Sequence, residues 1–109
     1  MNPGHIYIVG SDSGTLYIGV TSELRMRICE HKLDLRPGFT RTYQCHRLLY
    51  TEPFESITEA IAREKQLKGW TRAKKLALIR RMNPEFKDLA ATWTYRRLGP
   101  SQAIADEKG

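Results

Sequence analysis

Cysteine is scarce in this chain. Cys29 and Cys45 are the only two, and their spacing suits neither a metal-ligand pair nor a disulfide scaffold, so both are expected to be reduced packing residues. Long apolar runs are missing too: nothing approaches the ~18 residues of a membrane span. Met1-Asn2-Pro3-Gly4 leads into an extended segment without a signal-peptide core. No membrane partner is therefore expected, and a cytoplasmic location is. Acidic residues are few beside basic ones, 12 Asp+Glu against 18 Lys+Arg, for a net charge of +6. That excess favours a polyanionic partner such as nucleic acid, although a solvated basic surface would have the same composition. There is no internal repeat and no sign of a second domain, so 109 residues imply one small domain, monomeric, with a modest core.

What is present concentrates between His5 and Lys32. His5-Ile6-Tyr7-Ile8-Val9 and Thr15-Leu16-Tyr17-Ile18-Gly19-Val20 alternate β-branched and aromatic residues around Ser11-Asp12-Ser13-Gly14, which predicts a hairpin. If Asp12-Ser13-Gly14 is the loop and Gly14 its left-handed residue, Ser11 pairs with Thr15. Tyr7 and Tyr17 then fall on one face, which a register shift of one would undo. Thr21 or Ser22 is placed to cap a helix starting near Glu23. At helical pitch Leu24, Arg27, Ile28 and His31 form one stripe. A guanidinium on a burying face is costly without a partner, so Arg27 implies an anion or carboxylate waiting for it.

From Leu33 to Gln44 the chain reads as a loop. In it Arg36-Pro37-Gly38-Phe39-Thr40-Arg41-Thr42-Tyr43 interleaves basic and aromatic residues as base-stacking segments do, though an ordinary loop with Phe39 and Tyr43 tucked into the core fits as well. Arg47 to Glu52 predicts a third strand stopped by Pro53. Ser56-Ile57-Thr58-Glu59 is a capping box opening a helix to Lys68, with Gly69 as a left-handed stop. Its apolar stripe is Ile57, Ala60, Ile61 and Leu67, completed by Glu64. That carboxylate either pairs with a cation at the core edge or serves as a hard oxygen ligand for a divalent metal. A further helix from Thr71 turns Ala73, Leu76, Ala77, Ile79 and Met82 inward and its basic residues outward. Asn83-Pro84 predicts a short closing helix to Thr92. The domain is thus expected to span 4–92, with 93–109 a flexible tail.

His5-Ile6-Tyr7, Tyr17-Ile18-Gly19, Leu24-Arg25-Met26-Arg27 with His31, and Arg63-Glu64-Lys65 together resemble the GIY-YIG nuclease superfamily, in particular its small stand-alone bacterial members. The resemblance runs from Gly4 to about Leu89 and implies an α+β fold, a small three-stranded antiparallel sheet flanked by helices. It implies a divalent-metal-dependent endonuclease with one Mg2+ or Mn2+ ion and no small-molecule cofactor. The superfamily includes an N-terminal domain of the excision-repair nuclease, which places DNA repair among its settings. By this likeness Tyr7 and Tyr17 match the motif tyrosines, Gly19 the motif glycine, Arg27 the helix arginine and Glu64 the metal ligand. His31 stands where relatives carry a tyrosine or histidine. His5 replaces the first motif glycine, and where several relatives have an asparagine beyond Glu64, Lys74 or Lys75 substitutes or the role is absent.

In that chemistry Glu64 would hold the metal, Arg27 would neutralise a nonbridging phosphate oxygen, and Tyr7 would position the water or phosphate. Tyr17 or His31 would take the water's proton. A phenol with a reference pKa near ~10 needs a nearby cation to act as a base, whereas an imidazole near ~6.5 does not. The five are expected to line one concave surface. Around them Gly19, Arg36, Thr40 and Arg41, with Arg47, Lys65 and Lys68, are expected to meet DNA, single-stranded or branched rather than plain duplex. The competing reading is a basic nucleic-acid-binding module with a vestigial or regulatory site.

Overall fold

Alternation in the two N-terminal segments produces the hairpin. In the computed structural model, which describes residues 2–93, β1 (Gly4–Gly10) and β2 (Leu16–Thr21) pair antiparallel, with Tyr7 opposite Gly19 and Val9 opposite Tyr17. The turn has the expected form. Ser11 N–H donates to the Thr15 carbonyl at 2.9 Å, Gly14 N–H to that of Ser11 at 3.1 Å, and Gly14 takes φ +96°, a conformation that disfavours a Cβ. β3 (Arg47–Phe54) adds antiparallel to the other side of β1, giving the order β2-β1-β3 and the expected α+β architecture. β3 does not stop at Glu52. Among the described residues no further strand pairs on its outer side, so Pro53, which has no N–H, is tolerated on this edge strand and the strand runs through it. Between Ile8 and Val9 the register with β3 shifts, so Leu49 and Tyr50 both join one core cluster while Leu48 joins the other.

The sheet's alternation splits the core in two. Ile6, Ile8 and Ile18 pack with Ala60 and Leu67 of α3 (Ile57–Lys68) and with Leu78 and Ile79 of α4 (Arg72–Met82). Tyr7 and Val9, on the opposite face, pack with Ile28 of α1 (Leu24–Lys32), Cys45, Leu48 and Ala90. Both cysteines are free and buried. A bidentate ion pair, Arg63 Nε and Nη2 each 2.9 Å from a Glu52 oxygen, ties α3 to β3. Among the described residues no helix is long and apolar enough to cross a membrane.

Several local expectations give way. Glu23 N–H donates to Thr21 Oγ1 at 2.9 Å, but that bond closes a bend before the helix, and α1 begins at Leu24 with no side-chain cap. Gly69 is right-handed, at φ −82°, because Thr71 caps α4 almost at once, accepting from Lys74 N–H at 3.2 Å. On α3, Ile61 is exposed. The inner side of α4 is rotated from the expected one: Leu78 and Ile79 are buried, while Ala73, Ala77 and Met82 are exposed. The segment after Asn83 forms turns instead of a closing helix. Asn83 is a buried tether whose amide donates to the carbonyls of Leu49 at 3.1 Å and Lys87 at 2.7 Å, and Phe86 sits at φ +53°, which breaks helical pitch. Asp88 then accepts from Leu48 N–H at 3.0 Å, docking the segment against β3. Trp93, assigned to the tail, packs against the Tyr7 cluster. The rest of the tail, 94–109, lies outside the described residues.

Candidate active site

Tyr7 occupies the middle of the central strand at 1% exposure, so its phenol oxygen needs a partner inside the protein. The Tyr7 hydroxyl lies 2.8 Å from His31 Nε2, and His31 Nδ1 lies 2.9 Å from the Thr40 hydroxyl. His31 reaches this point because it ends the inward stripe of α1. Thr40 reaches it from α2 (Phe39–Thr42), a single helical turn within the segment expected to be loop. Burial, aided by the positive charges of Arg27 and Arg36, holds His31 down at about 4, so the imidazole is neutral at neutral pH. Burial likewise pushes Tyr7 up to about 12, against the opposing pull of the Arg27 guanidinium beside it. A neutral imidazole has one donor and one acceptor nitrogen, which suits it to bridge two hydroxyls. The free-imidazole basicity expected of His31 is therefore lost to burial.

Gly19 faces Tyr7 across the hairpin. A Cβ there would lie 2.3 Å from the phenol oxygen and 2.4 Å from Cζ, so glycine is required by the ring itself. Gly19, expected to meet nucleic acid, thus serves the packing of Tyr7, and Thr40, also expected there, is buried as an anchor for His31. Tyr17 is half-buried, its ring centroid 6.4 Å from that of Tyr7 and 6.0 Å from that of His31, and it stacks on Phe39 at 5.7 Å.

The carboxylate that Arg27 demanded is Glu30. Arg27 Nε lies 3.3 Å from Glu30 Oε1, and Arg36 Nη1 approaches the same oxygen at 3.6 Å. Sequence reasoning missed Glu30, although its i,i+3 spacing was a usable signal. Arg36 and Arg41 are exposed, as are Lys65 and Lys68 on α3. Arg47 is occupied structurally, donating to the carbonyls of Ser11 at 3.3 Å and Phe86 at 3.4 Å.

Glu64 lies on α3 between Ala60 and Leu67, which pack on the isoleucine face, and is 15% exposed with its carboxylate 3.4 Å from Lys68 Nζ. Tyr7, Tyr17 and His31 form one ring cluster on the opposite face, with the Arg27 guanidinium beside Tyr7. Strand parity places the tyrosines, whereas the placement of α3 is set by the chain crossing. α3 does pack along β2, the edge strand that carries Tyr17. Among the described residues no three His, Cys, Asp or Glu side chains converge as a ready-made metal cage. A single glutamate fits a Mg2+-like ion that keeps its waters and takes its remaining oxygens from a substrate phosphate.

A deeply buried phenol–imidazole pair with an arginine at its side, on a three-stranded sheet, brings together residues of the motifs that carry the resemblance to a nuclease family. Residues 3–77 match the GIY-YIG catalytic domain, and the chain belongs to that family. Its relatives include a UPF0213 protein of Halobacterium salinarum, 36% identical over 75 residues that cover 69% of this chain and 97% of the relative. A UPF0213 protein of Staphylococcus saprophyticus is 35% identical over 79 residues, 72% of this chain and 96% of the relative. The solution NMR structure of a UPF0213 protein from Bacillus halodurans aligns with a TM-score of 0.53 at 27% identity, covering 84% of this chain and 99% of that one.

Proposed function

We propose that this protein is a divalent-metal-dependent endonuclease that hydrolyses phosphodiester bonds of single-stranded or branched DNA, acting as a monomer in the cytoplasm. The observation that carries the reading is the placement of Arg27 beside Tyr7 and His31 on the face of a GIY-YIG domain. Hydrolysis needs a deprotonated water and neutralisation of charge on phosphorus. Arg27, held by Glu30 on a half-exposed side chain, turns its fork to a nonbridging oxygen. Tyr17 is the one of the two motif tyrosines with access to solvent, so after losing its own proton to solvent it takes the water's proton as the phenolate. Tyr7 and His31, both buried, act by orienting: their hydrogen bond fixes the ring against which Tyr17 and Arg27 are set. Glu64, with water, would hold Mg2+ or Mn2+, which when bound supplies Lewis-acid polarisation of the phosphate and stabilises the leaving oxygen. The packing of α3 against β2, the strand that carries Tyr17, supports this role.

The binding-module reading is favoured by one observation, the Lys68 ammonium already on Glu64. Incubating the protein with single-stranded, duplex and branched oligonucleotides, with and without Mg2+ or Mn2+, tests the proposal. Metal-dependent internal cuts support it, and retention of every substrate uncut despite tight binding leaves the module.

A further inference from the structure

Phe39 and Tyr43 are the aromatic side chains of this face that the core does not take in, at 44% and 50% exposure. Their ring centroids are 4.6 Å apart, and Phe39 in turn stacks on Tyr17 at 5.7 Å with 29° between planes. Three rings therefore run without a break from the buried Tyr7–His31 pair out to solvent. Burial does not hold the outer two, since water would drive such rings inward if the backbone allowed.

The backbone is what presents them. Gly38, at φ +117°, turns the chain into α2. Thr42 N–H donates to the Gly38 carbonyl at 3.0 Å and Tyr43 N–H to that of Phe39 at 2.9 Å, closing the turn. Thr40, between the two rings in sequence, is clasped to His31 at 2.9 Å. The ring pair is thus held in register with the tyrosine face. Arg36 and Arg41 are exposed on the same short segment, and Arg41 has no carboxylate partner among the described residues. Flat π surface beside cations is the combination that takes a nucleobase and its flanking phosphates.

We infer that α2 is a stacking subsite, in which one unpaired nucleobase lies against Phe39 and Tyr43 while adjacent phosphates meet Arg36 and Arg41. A base inside a duplex is already stacked on its neighbours, so the subsite admits strands whose base at that position is free. Its function as a register for cleavage rests on the nuclease reading. Its binding does not.

The test uses the full chain in metal-free buffer, with fluorescence anisotropy on two ligands of equal length: a single-stranded oligodeoxynucleotide, and the same backbone built of abasic tetrahydrofuran residues. The base-bearing strand should bind roughly tenfold or more tighter. Joint Phe39→Leu and Tyr43→Leu substitution keeps apolar bulk but removes the π faces, so it should erase most of that difference while leaving abasic affinity and the melting temperature in place. Phe39→Trp should preserve it. Equal affinity for the two ligands in the unmodified protein, or a leucine variant that weakens both alike, overturns the subsite. Adding Mg2+ separates the two readings: base-dependent binding without cleavage removes the nuclease and keeps the subsite, and cleavage indifferent to the base does the reverse.

Discussion

Ile8 and Tyr7 are neighbours in the same strand, both almost wholly buried, yet they stand on faces that obey different rules. On the face of Ile8, aliphatic groups of α3 and α4 fill the space. Methyl groups have no directional needs, so volume is what that face conserves. On the face of Tyr7, phenol, imidazole and hydroxyl are enclosed together and each is satisfied only by the others. Direction is what that face demands, because a buried polar atom left without a partner keeps its full desolvation cost, about 1–3 kcal/mol. One small sheet therefore carries apolar packing on one side and a closed polar network on the other.

The sharpest break in that comparison is on the aliphatic side. Ile8→Ala should destabilise the fold by about 2–5 kcal/mol, read from the urea midpoint, while Ile8→Val should cost about 1 kcal/mol. If the two were equal, the face would not be packed as tightly as its zero exposure indicates.

Next come the groups assigned to catalysis. Arg27→Ala and Glu64→Gln should each lower metal-dependent cleavage by about 10²-fold or more, of order 3 kcal/mol in the barrier. Melting temperatures should move little, because the Lys68 partner of Glu64 is half-exposed and an exposed ion pair contributes only about 0–1 kcal/mol. Cleavage that survives Glu64→Gln refutes the role given to that carboxylate.

Acid should act on the tyrosine face selectively. His31 is held at about 4 when folded and titrates near ~6.5 when unfolded, so the unfolded chain binds the proton first. Its contribution is intact above the unfolded value and erodes as pH falls towards the folded one, by roughly 3 kcal/mol at most. Glu52 and Asp88, both held low by their cation partners despite burial, also lose stability on acidification. Subtracting the profile of His31→Gln isolates the histidine: the variant should lose less stability between pH 6.5 and 4 than the unmodified chain. Parallel profiles would mean that His31 is solvated.

The smallest change is Tyr7→Phe, which removes one oxygen and leaves His31 Nε2 without its partner. A loss of about 1–3 kcal/mol is expected, less than for Ile8→Ala, and it should come with a fall in cleavage if the pair orients Tyr17. Unchanged stability would show that water replaces the phenol oxygen.

The hairpin was legible because its information is local: Gly14 fixes the turn, the turn fixes the register, and parity fixes which side Tyr7 and Tyr17 share. His31 followed from helical pitch on the same grounds. What failed depended on distant partners. Asn83 reads as a cap, but its amide is claimed by Leu49 from β3. Thr40 looked like a surface residue since nothing in its own segment announces His31. Helical pitch put Glu64 at a half-buried position of α3, but where that helix meets the sheet is a property of the crossover, to which composition and spacing are blind.

The contact between Gly19 and Tyr7 bears on how the family's signature is spelled. Read along the chain, Ile6-Tyr7 and Ile18-Gly19 are two words separated by a turn. In the folded molecule they are one syllable, since the missing side chain of the second is the room occupied by the ring of the first. The second letter cannot be enlarged while the ring of the first stands. Gly19→Ala meets both the oxygen and Cζ of the ring, so Tyr7→Phe does not make room for it, and only a shorter residue at position 7 does.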